Sequence, residues 1–182
     1  NAKSSGLLLT GVKDPLGIPL VQSALEGFQL AVTTQGLSTP LVAAAHAYVW
    51  DPVSVLESKT LHCDISVINP LDSVLDIIAI DVNITSMASS LGKLDQRFLT
   101  PIRIPPNQAV RTRTVCITVE KLLSLKVLEA FLAAAGSSQG APLRFKGTVS
   151  ARIAGAFEAV ISVEQGPFPA FVEFKLPPKC DP

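Results

Sequence analysis

Apolar and polar residues alternate with a period of two over several stretches of the chain, as they do in half-buried β-strands. The alternation covers residues 61–68, 77–85 and 110–119, and it returns in residues 143–151 and 159–163. Asn69-Pro70 ends the first stretch, because proline cannot donate a hydrogen bond to a neighbouring strand. The pattern therefore predicts a mainly β protein.

Residues 120–135 change to a helical period, in which apolar side chains recur every three or four positions until Gly136. We predict one amphipathic helix here. Its apolar stripe either packs into the core or lines an apolar groove between helix and sheet. The candidate groove residues are Leu122, Leu125, Leu128, Phe131, Leu132, Phe168 and Phe171.

Three regions follow from these patterns. Residues 60–176 form the predicted β domain, and residues 177–182 form a proline-rich tail. Residues 1–59 are expected to contribute apolar strands, at 6–12, 27–34 and 39–49, and a short helix at 19–26, or to act as an assembly arm. The chain begins at Asn1 rather than Met, so we expect a processed segment.

The composition is unusually apolar. Hydrophobic residues make up 48% of the chain and charged residues only 16%, against roughly 25% charged in typical soluble domains. The longest apolar stretches, 41–50 and 122–135, are too short or too interrupted by charge to span a membrane directly. A protein interface or an apolar ligand is therefore expected to cover the excess apolar surface.

Charge excludes one class of partner. Lys plus Arg and Asp plus Glu both number 15, so the net charge is zero. Arg97, Arg103, Arg111 and Arg113 form a basic stretch, but no aromatic residues alternate with them as in a nucleic-acid stacking surface. We expect these arginines to pair with the acidic stretch Asp64, Asp72, Asp76 and Asp81, and we predict no nucleic-acid partner.

Several of these features together resemble the water-stress domain of the group 2 late embryogenesis abundant proteins. The resemblance covers about residues 61–175 and rests on Asn69-Pro70, the strand at 77–85, the turn at 104–106, and Gly147 in the stretch 143–149. It implies a β-sandwich without catalytic residues, found in desiccation-protective proteins, membrane-anchored plant defence proteins and vacuolar or lysosomal membrane proteins with suggested lipid binding. The predicted fold is an immunoglobulin- or fibronectin-III-like antiparallel β-sandwich with one amphipathic helix.

The motifs that carry chemistry do not combine into an active site. Residues 136–140 read G-x-S-x-G, with Ser138 at the nucleophile position, but this motif follows a helix and precedes a strand, the reverse of a nucleophile elbow. His46 and His62 both lie upstream, which is the wrong order for a catalytic triad, and neither shows metal-ligand spacing. We predict no enzyme activity, no metal site and no cofactor.

Three cysteines and one sequon bear on the cellular location. In a sandwich of this kind Cys63 and Cys116 would lie on neighbouring strands, so they form either a disulfide or two reduced thiols. Cys180 would then be left for an intermolecular disulfide or a free thiol. Asn83 begins the N-glycosylation sequon Asn83-Ile84-Thr85.

We expect a non-enzymatic structural or interaction module that is extracellular or lumenal. Its partner is predicted to be a second copy of itself or another protein. One alternative is a domain that binds a lipid or another apolar ligand. The other alternative is a desiccation-protective protein without a bound partner.

Overall fold

The computed structural model describes residues 30–33, 41–87, 89–120 and 123–180. Within these residues the chain forms nine strands and two helices. They are β1 (Leu30–Thr33), β2 (Val42–Tyr48), α1 (Pro52–Ser58), β3 (Thr60–Ile68), β4 (Leu75–Ser86), β5 (Ser89–Ile104), β6 (Ala109–Arg111), β7 (Val115–Val119), α2 (Leu125–Ala135), β8 (Ala141–Ile153) and β9 (Phe157–Glu173).

The predicted sandwich is wrong, because the sheet closes on itself. Hydrogen-bonded neighbours follow the order β9-β2-β3-β7-β5-β4-β8, and β8 pairs again with β9, so these seven strands form a barrel. β1 pairs with β9 and β6 pairs with β3 in addition to this ring. The sheet is also not purely antiparallel, since β1 and β2 both run parallel to β9.

The long strand β9 makes the closure. One edge of β9 pairs with β8 over residues 157–170. The other edge pairs with β1 over residues 159–162 and with β2 over residues 170–173. The sequence pattern predicted a strand only at 159–163, because Pro167 and Pro169 interrupt the alternation. The sequence pattern could not show the pairing of β9 with β2. This pairing joins the two edges of the sheet and closes the barrel.

The interior of the barrel is filled by the predicted alternating side chains. In β3 the burial alternates at every position, with Leu61, Cys63, Ile65 and Val67 inside. Each large aliphatic side chain buried in this way contributes roughly 1.5–3 kcal/mol of transfer free energy. The most completely buried apolar residues of the core are Leu94, Ile104, Val115, Ala141, Ala151 and Ala170.

Two helices lie where β2, β7 and β9 finish, which we call the helical end of the barrel. α1, which the sequence analysis missed, is started by Asp51, whose carboxylate accepts hydrogen bonds from the amides of Val53 (2.9 Å) and Ser54 (3.1 Å). Pro52 occupies the first helical turn. α2 matches the predicted helix from residue 125 onward, and it contacts α1, β8 and β9. The predicted segments 6–12 and 19–26 lie outside the described residues.

Asn69 fixes the opposite end of the barrel. Its side chain is fully buried, and its amide group donates hydrogen bonds to the carbonyl oxygens of Ser73 (2.7 Å), Ile104 (3.0 Å) and Pro105 (3.1 Å). Its side-chain oxygen accepts a hydrogen bond from the amide of Leu71 at 3.0 Å. One side chain therefore binds backbone groups of the loop after β3 and of the end of β5 with the loop that follows it.

We predict that Asn69→Ala lowers the free energy of unfolding by about 2–4 kcal/mol, since it leaves buried backbone groups without partners. Denaturant unfolding of the purified protein measures this loss. The matched control is Asn83→Ala, which removes an exposed asparagine on β4 and should change stability by less than about 0.5 kcal/mol. Equal stabilities of the two variants would contradict this role of Asn69.

Candidate functional site

The C-terminal residues 174–180, which we call the strap, cross the outer face of the barrel from β9 over β2 and β3 to β7. Above β2, the Lys175 ammonium lies 4.6 Å from the ring centroid of Tyr48. At β3, the Cys180 sulfur lies 3.3 Å from Nδ1 of His62. The crossing ends at β7 in a disulfide between Cys180 and Cys116. The strap thus contacts three strands, β2, β3 and β7, without pairing with any of them.

The disulfide corrects two predictions about the cysteines. Cys116 and Cys180 have Cα atoms 5.7 Å apart, inside the range for a disulfide. Cys63 stands opposite Val115 in the β3–β7 register, one position from Cys116, so the side chains of Cys63 and Cys116 point to opposite faces of the sheet. Cys63 is free and buried, and burial raises the pKa of its thiol. Cys180 is bonded within its own chain and is therefore not left over for an intermolecular link.

The disulfide places both of its sulfurs beside a histidine. His62 stands directly opposite Cys116 in the register of β3 and β7. Its Nδ1 atom lies 3.7 Å from the Cys116 sulfur and 3.3 Å from the Cys180 sulfur. All three side chains are partly exposed. Because Cys116 lies 54 residues from His62 and 64 residues from Cys180, no spacing motif could reveal this cluster.

A second polar group lies on the same outer face of the barrel, around Asp64. Its carboxylate accepts hydrogen bonds from the Tyr48 hydroxyl (2.6 Å), from Nε of Arg111 (2.9 Å) and from the Thr114 hydroxyl (2.8 Å). Arg111 also donates to the Tyr48 oxygen at 2.6 Å. The predicted pairing of the arginine and aspartate stretches is therefore confirmed for Arg111 and Asp64.

The electrostatics of this group favour a structural role for it. Burial and the hydrogen bond to Asp64 raise the pKa of Tyr48 to about 12, so the phenol stays protonated at neutral pH. A hydrogen bond from Lys175 holds the pKa of Glu173 below its ordinary value. Burial and the nearby Arg111 lower the pKa of His46. The phenol of Tyr48 is thus held in its neutral form, hydrogen-bonded to a charged partner, and is not an activated base or nucleophile.

Exposed apolar side chains of the strap and of the β2–α1 segment lie at the helical end. The Val49 amide donates to the Glu173 carbonyl at 3.1 Å, so the ends of β2 and β9, which Trp50 and Phe174 follow, are adjacent. We call Trp50, Val53, Phe174 and Leu176 the apolar rim. Their exposed fractions are 64% for Trp50, 49% for Val53, 62% for Phe174 and 72% for Leu176.

The predicted apolar groove does not form an open channel in the described part of the chain. Leu128, Phe131, Leu132 and Phe168 are buried in the core, and Leu125 faces outward. Phe171 contacts the ring of His46, with ring centroids 5.5 Å apart. Leu122 lies outside the described residues. Within the described residues, most of the helical stripe is therefore used in core packing.

A cleft lies away from the helical end, on the outer face of β5, β4, β8 and β9. Its volume is about 510 Å³, and it combines apolar residues such as Leu99, Pro101 and Val160 with the side chains of Arg97 and Arg152. Arg152 forms an ion pair with Glu158 at 2.9 Å. The cleft is therefore lined by apolar and charged side chains together.

Other residues named from the sequence lie apart from these sites. Asn83 is exposed on β4, opposite Lys93 on one side and Lys146 on the other, as expected for its polar side of the strand. Ser138 lies in the turn between α2 and β8, which keeps the G-x-S-x-G motif out of a strand-to-helix turn. Among the helices that the structure describes, none has the length and apolar character needed to cross a membrane.

Comparison with known proteins leaves the family open. No family model and no curated protein matches the sequence. The crystal structure of a protein from Archaeoglobus fulgidus is similar, with 12% identity and a TM-score of 0.33, over 59% of this chain and 80% of that chain. A similarity of this size defines neither fold nor function. The late embryogenesis abundant resemblance stays a prediction.

Because Tyr48 is the only tyrosine in the chain, its ionisation can be measured without interference. We predict a phenolate absorbance midpoint near pH 12 in the folded protein and near the ordinary value of about 10 in denaturant. The pKa of Tyr48 is higher in the folded protein than in the unfolded chain. Its contribution to the free energy of unfolding is therefore complete below about pH 10, and it is lost as the pH rises through the pKa of the folded protein. Asp64→Asn should lower the folded midpoint, whereas identical midpoints in the folded and unfolded wild type would contradict the contact.

Removing the disulfide should destabilise the barrel without abolishing it. It links residues 64 positions apart, and disulfides closing loops of this length typically contribute about 2–4 kcal/mol. We predict that loss for Cys180→Ser in chemical unfolding under oxidising conditions. Lys179→Ala, an exposed strap neighbour, should show no such loss. Equal stability of Cys180→Ser and the oxidised wild type would show that the link does not form.

Proposed function

We propose that the protein is a non-enzymatic interaction module that associates with a second copy of itself through the apolar rim. The main support is the position and exposure of three apolar side chains. They lie at the helical end of the barrel, and each is more than 60% exposed: Trp50, Phe174 and Leu176. Isolated exposed apolar residues are ordinary, but a group rich in aromatic residues is typical of interfaces. The occupant we assign to this surface is another rim.

Charge supports a second copy as the partner. The chain has equal numbers of acidic and basic residues, 15 of each, so two copies approach without net repulsion. Glu173 and Lys175, which flank Phe174, also carry opposite charges. A twofold arrangement would therefore place complementary groups around an aromatic centre, as isologous interfaces require.

The size of the rim sets its role within that interface. A Trp or Phe side chain brings roughly 150–250 Å² of surface. A stable interface needs about 800 Å² from each partner. The rim therefore supplies the centre of the contact, and the other residues of the strap and of α1 supply the remainder.

An extracellular or lumenal location is part of the proposal. Its support is the Cys116–Cys180 disulfide, because disulfides persist in oxidising compartments. The exposed sequon at Asn83 agrees with the same location.

We predict that association depends on the rim and is measurable from nanomolar to high micromolar concentration by sedimentation velocity and native mass spectrometry. Trp50 is the only tryptophan, so its emission should shift to the blue as assembly buries it. The double variant Trp50→Ser with Phe174→Ser should associate at least about 100-fold more weakly, since each of the two lost aromatic anchors removes about 1.4 kcal/mol or more.

The matched control is Leu99→Ser, which removes a side chain that is 82% exposed and lies in the cleft region instead of the rim. It should associate like the wild type. A wild-type mass of 19.2 kDa and a constant tryptophan emission at every concentration would overturn the proposal.

Binding of an apolar ligand is the second candidate function, and the cleft beside Arg97 and Arg152 is the observation that favours it. The same native mass spectra distinguish the two candidates. A monomer carrying a lipid-sized adduct that Leu99→Ser weakens would support the cleft as a binding site. A monomer without any bound adduct would instead favour the desiccation-protective alternative.

A further inference from the structure

The cluster of His62, Cys116 and Cys180 has the donor atoms of a zinc site. Two sulfurs and an imidazole nitrogen lie within 4.8 Å of one another on the outer face of the barrel. Zinc is bound in proteins by thiolate sulfur and histidine nitrogen in tetrahedral geometry. The three side chains come from β3, β7 and the strap, so they meet only in the folded chain.

The distances agree with that geometry. Zinc bonds of about 2.3 Å to sulfur and about 2.0–2.1 Å to nitrogen, at a tetrahedral angle, separate the two donor atoms by about 3.6 Å. The Nδ1 atom of His62 lies 3.3 Å from one sulfur and 3.7 Å from the other. The histidine is thus already placed for both bonds. Only the two sulfurs must move apart, to about 3.8 Å by the same geometry.

We propose that His62, Cys116 and Cys180 bind one Zn²⁺ ion when the disulfide is reduced. The three side chains occupy three positions of the tetrahedron, and water takes the fourth. Two thiolates and one neutral imidazole leave the site without net charge. Cys63 is not a ligand, because its thiol points into the core on the other face of β3.

The protein passes from the disulfide to the zinc-bound form in two steps. A dithiol reductant transfers two electrons and two protons to the Cys116–Cys180 bond, which breaks to give two thiols, while the reductant closes its own disulfide. Zinc then displaces one proton from each thiol, and both protons pass to solvent. Reoxidation requires the reverse exchange and releases the ion.

The consequence is that the strap stays attached in either state. A covalent link holds Cys180 to β7 in the oxidised protein, and a metal bridge holds it in the reduced protein. Because the strap carries Phe174 and Leu176, this attachment also keeps half of the apolar rim in position. Reduction without zinc is the state in which the strap is released.

The test is a titration with Zn²⁺ alone, in competition with a chromophoric chelator, on fully reduced and fully oxidised whole protein. We expect one ion per reduced chain and at least 100-fold weaker binding to the oxidised chain. Cobalt substituted for zinc should give the absorption of a tetrahedral thiolate site. Zinc should also protect the strap of the reduced protein from limited proteolysis.

Variants separate this site from adventitious binding. His62→Ala keeps both cysteines, and it should weaken binding by more than the roughly 10–100-fold that loss of a supporting group costs at metal sites. His46→Ala, which removes the other histidine, and Cys63→Ala should bind like the wild type. If His62→Ala binds as tightly as the wild type, the thiols act without the histidine and the proposed site is wrong.

Folding of the reduced protein is followed by circular dichroism in the same samples. A reduced chain that is folded, or that regains its structure when zinc is added, agrees with the proposal. A reduced wild type that binds zinc no better than the double variant Cys116→Ser with Cys180→Ser overturns it. A reduced chain that stays unfolded with zinc present also overturns it.

Discussion

The pairing of β9 with β2 is the contact on which the architecture depends. Without it, the sheet would end at β2 on one side, and on the other side β9 would keep only its short pairing with β1. Both sides of the sheet would then offer unpaired strand edge to other chains. With it, every strand of the ring has two neighbours, and the apolar faces enclose one filled interior. The pairing of β9 with β2 also brings Val49 and Glu173 together. It therefore places the end of β2 next to the end of β9.

The candidate sites follow from this placement of the two strand ends. Because β9 ends next to β2, the strap starts at the helical end and reaches β7 by crossing only two strands. Lys175 lies over the ring of Tyr48 on the way, and the strap ends against His62 and Cys116. The strand ends that precede Trp50 and Phe174 are adjacent for the same reason.

Much of the local structure could be predicted from the sequence, because alternation records burial directly. The inward residues of β3 and the helix at 125–135 agree with their patterns. α1 was missed although Asp51-Pro52 is an ordinary helix start, since the same dipeptide also begins turns. Closure could not be predicted, because alternation says which face a residue occupies and nothing about which strand edges meet. The predicted Cys63–Cys116 disulfide was wrong because Cys63 stands opposite Val115, one residue before Cys116. This offset places Cys63 inside the barrel and Cys116 outside.

The most direct test of this account is hydrogen exchange, measured by NMR, at the amides on the β9-facing edge of β2. Val49 donates to the Glu173 carbonyl, and Ala47, two residues earlier on the same edge, faces β9 as well. The account predicts that both amides are protected to nearly the same degree as those of β4, which has a strand on each side. Rapid exchange at Ala47 and Val49, with β4 still protected, would mean that the sheet is open and that the barrel and strap are not formed as described.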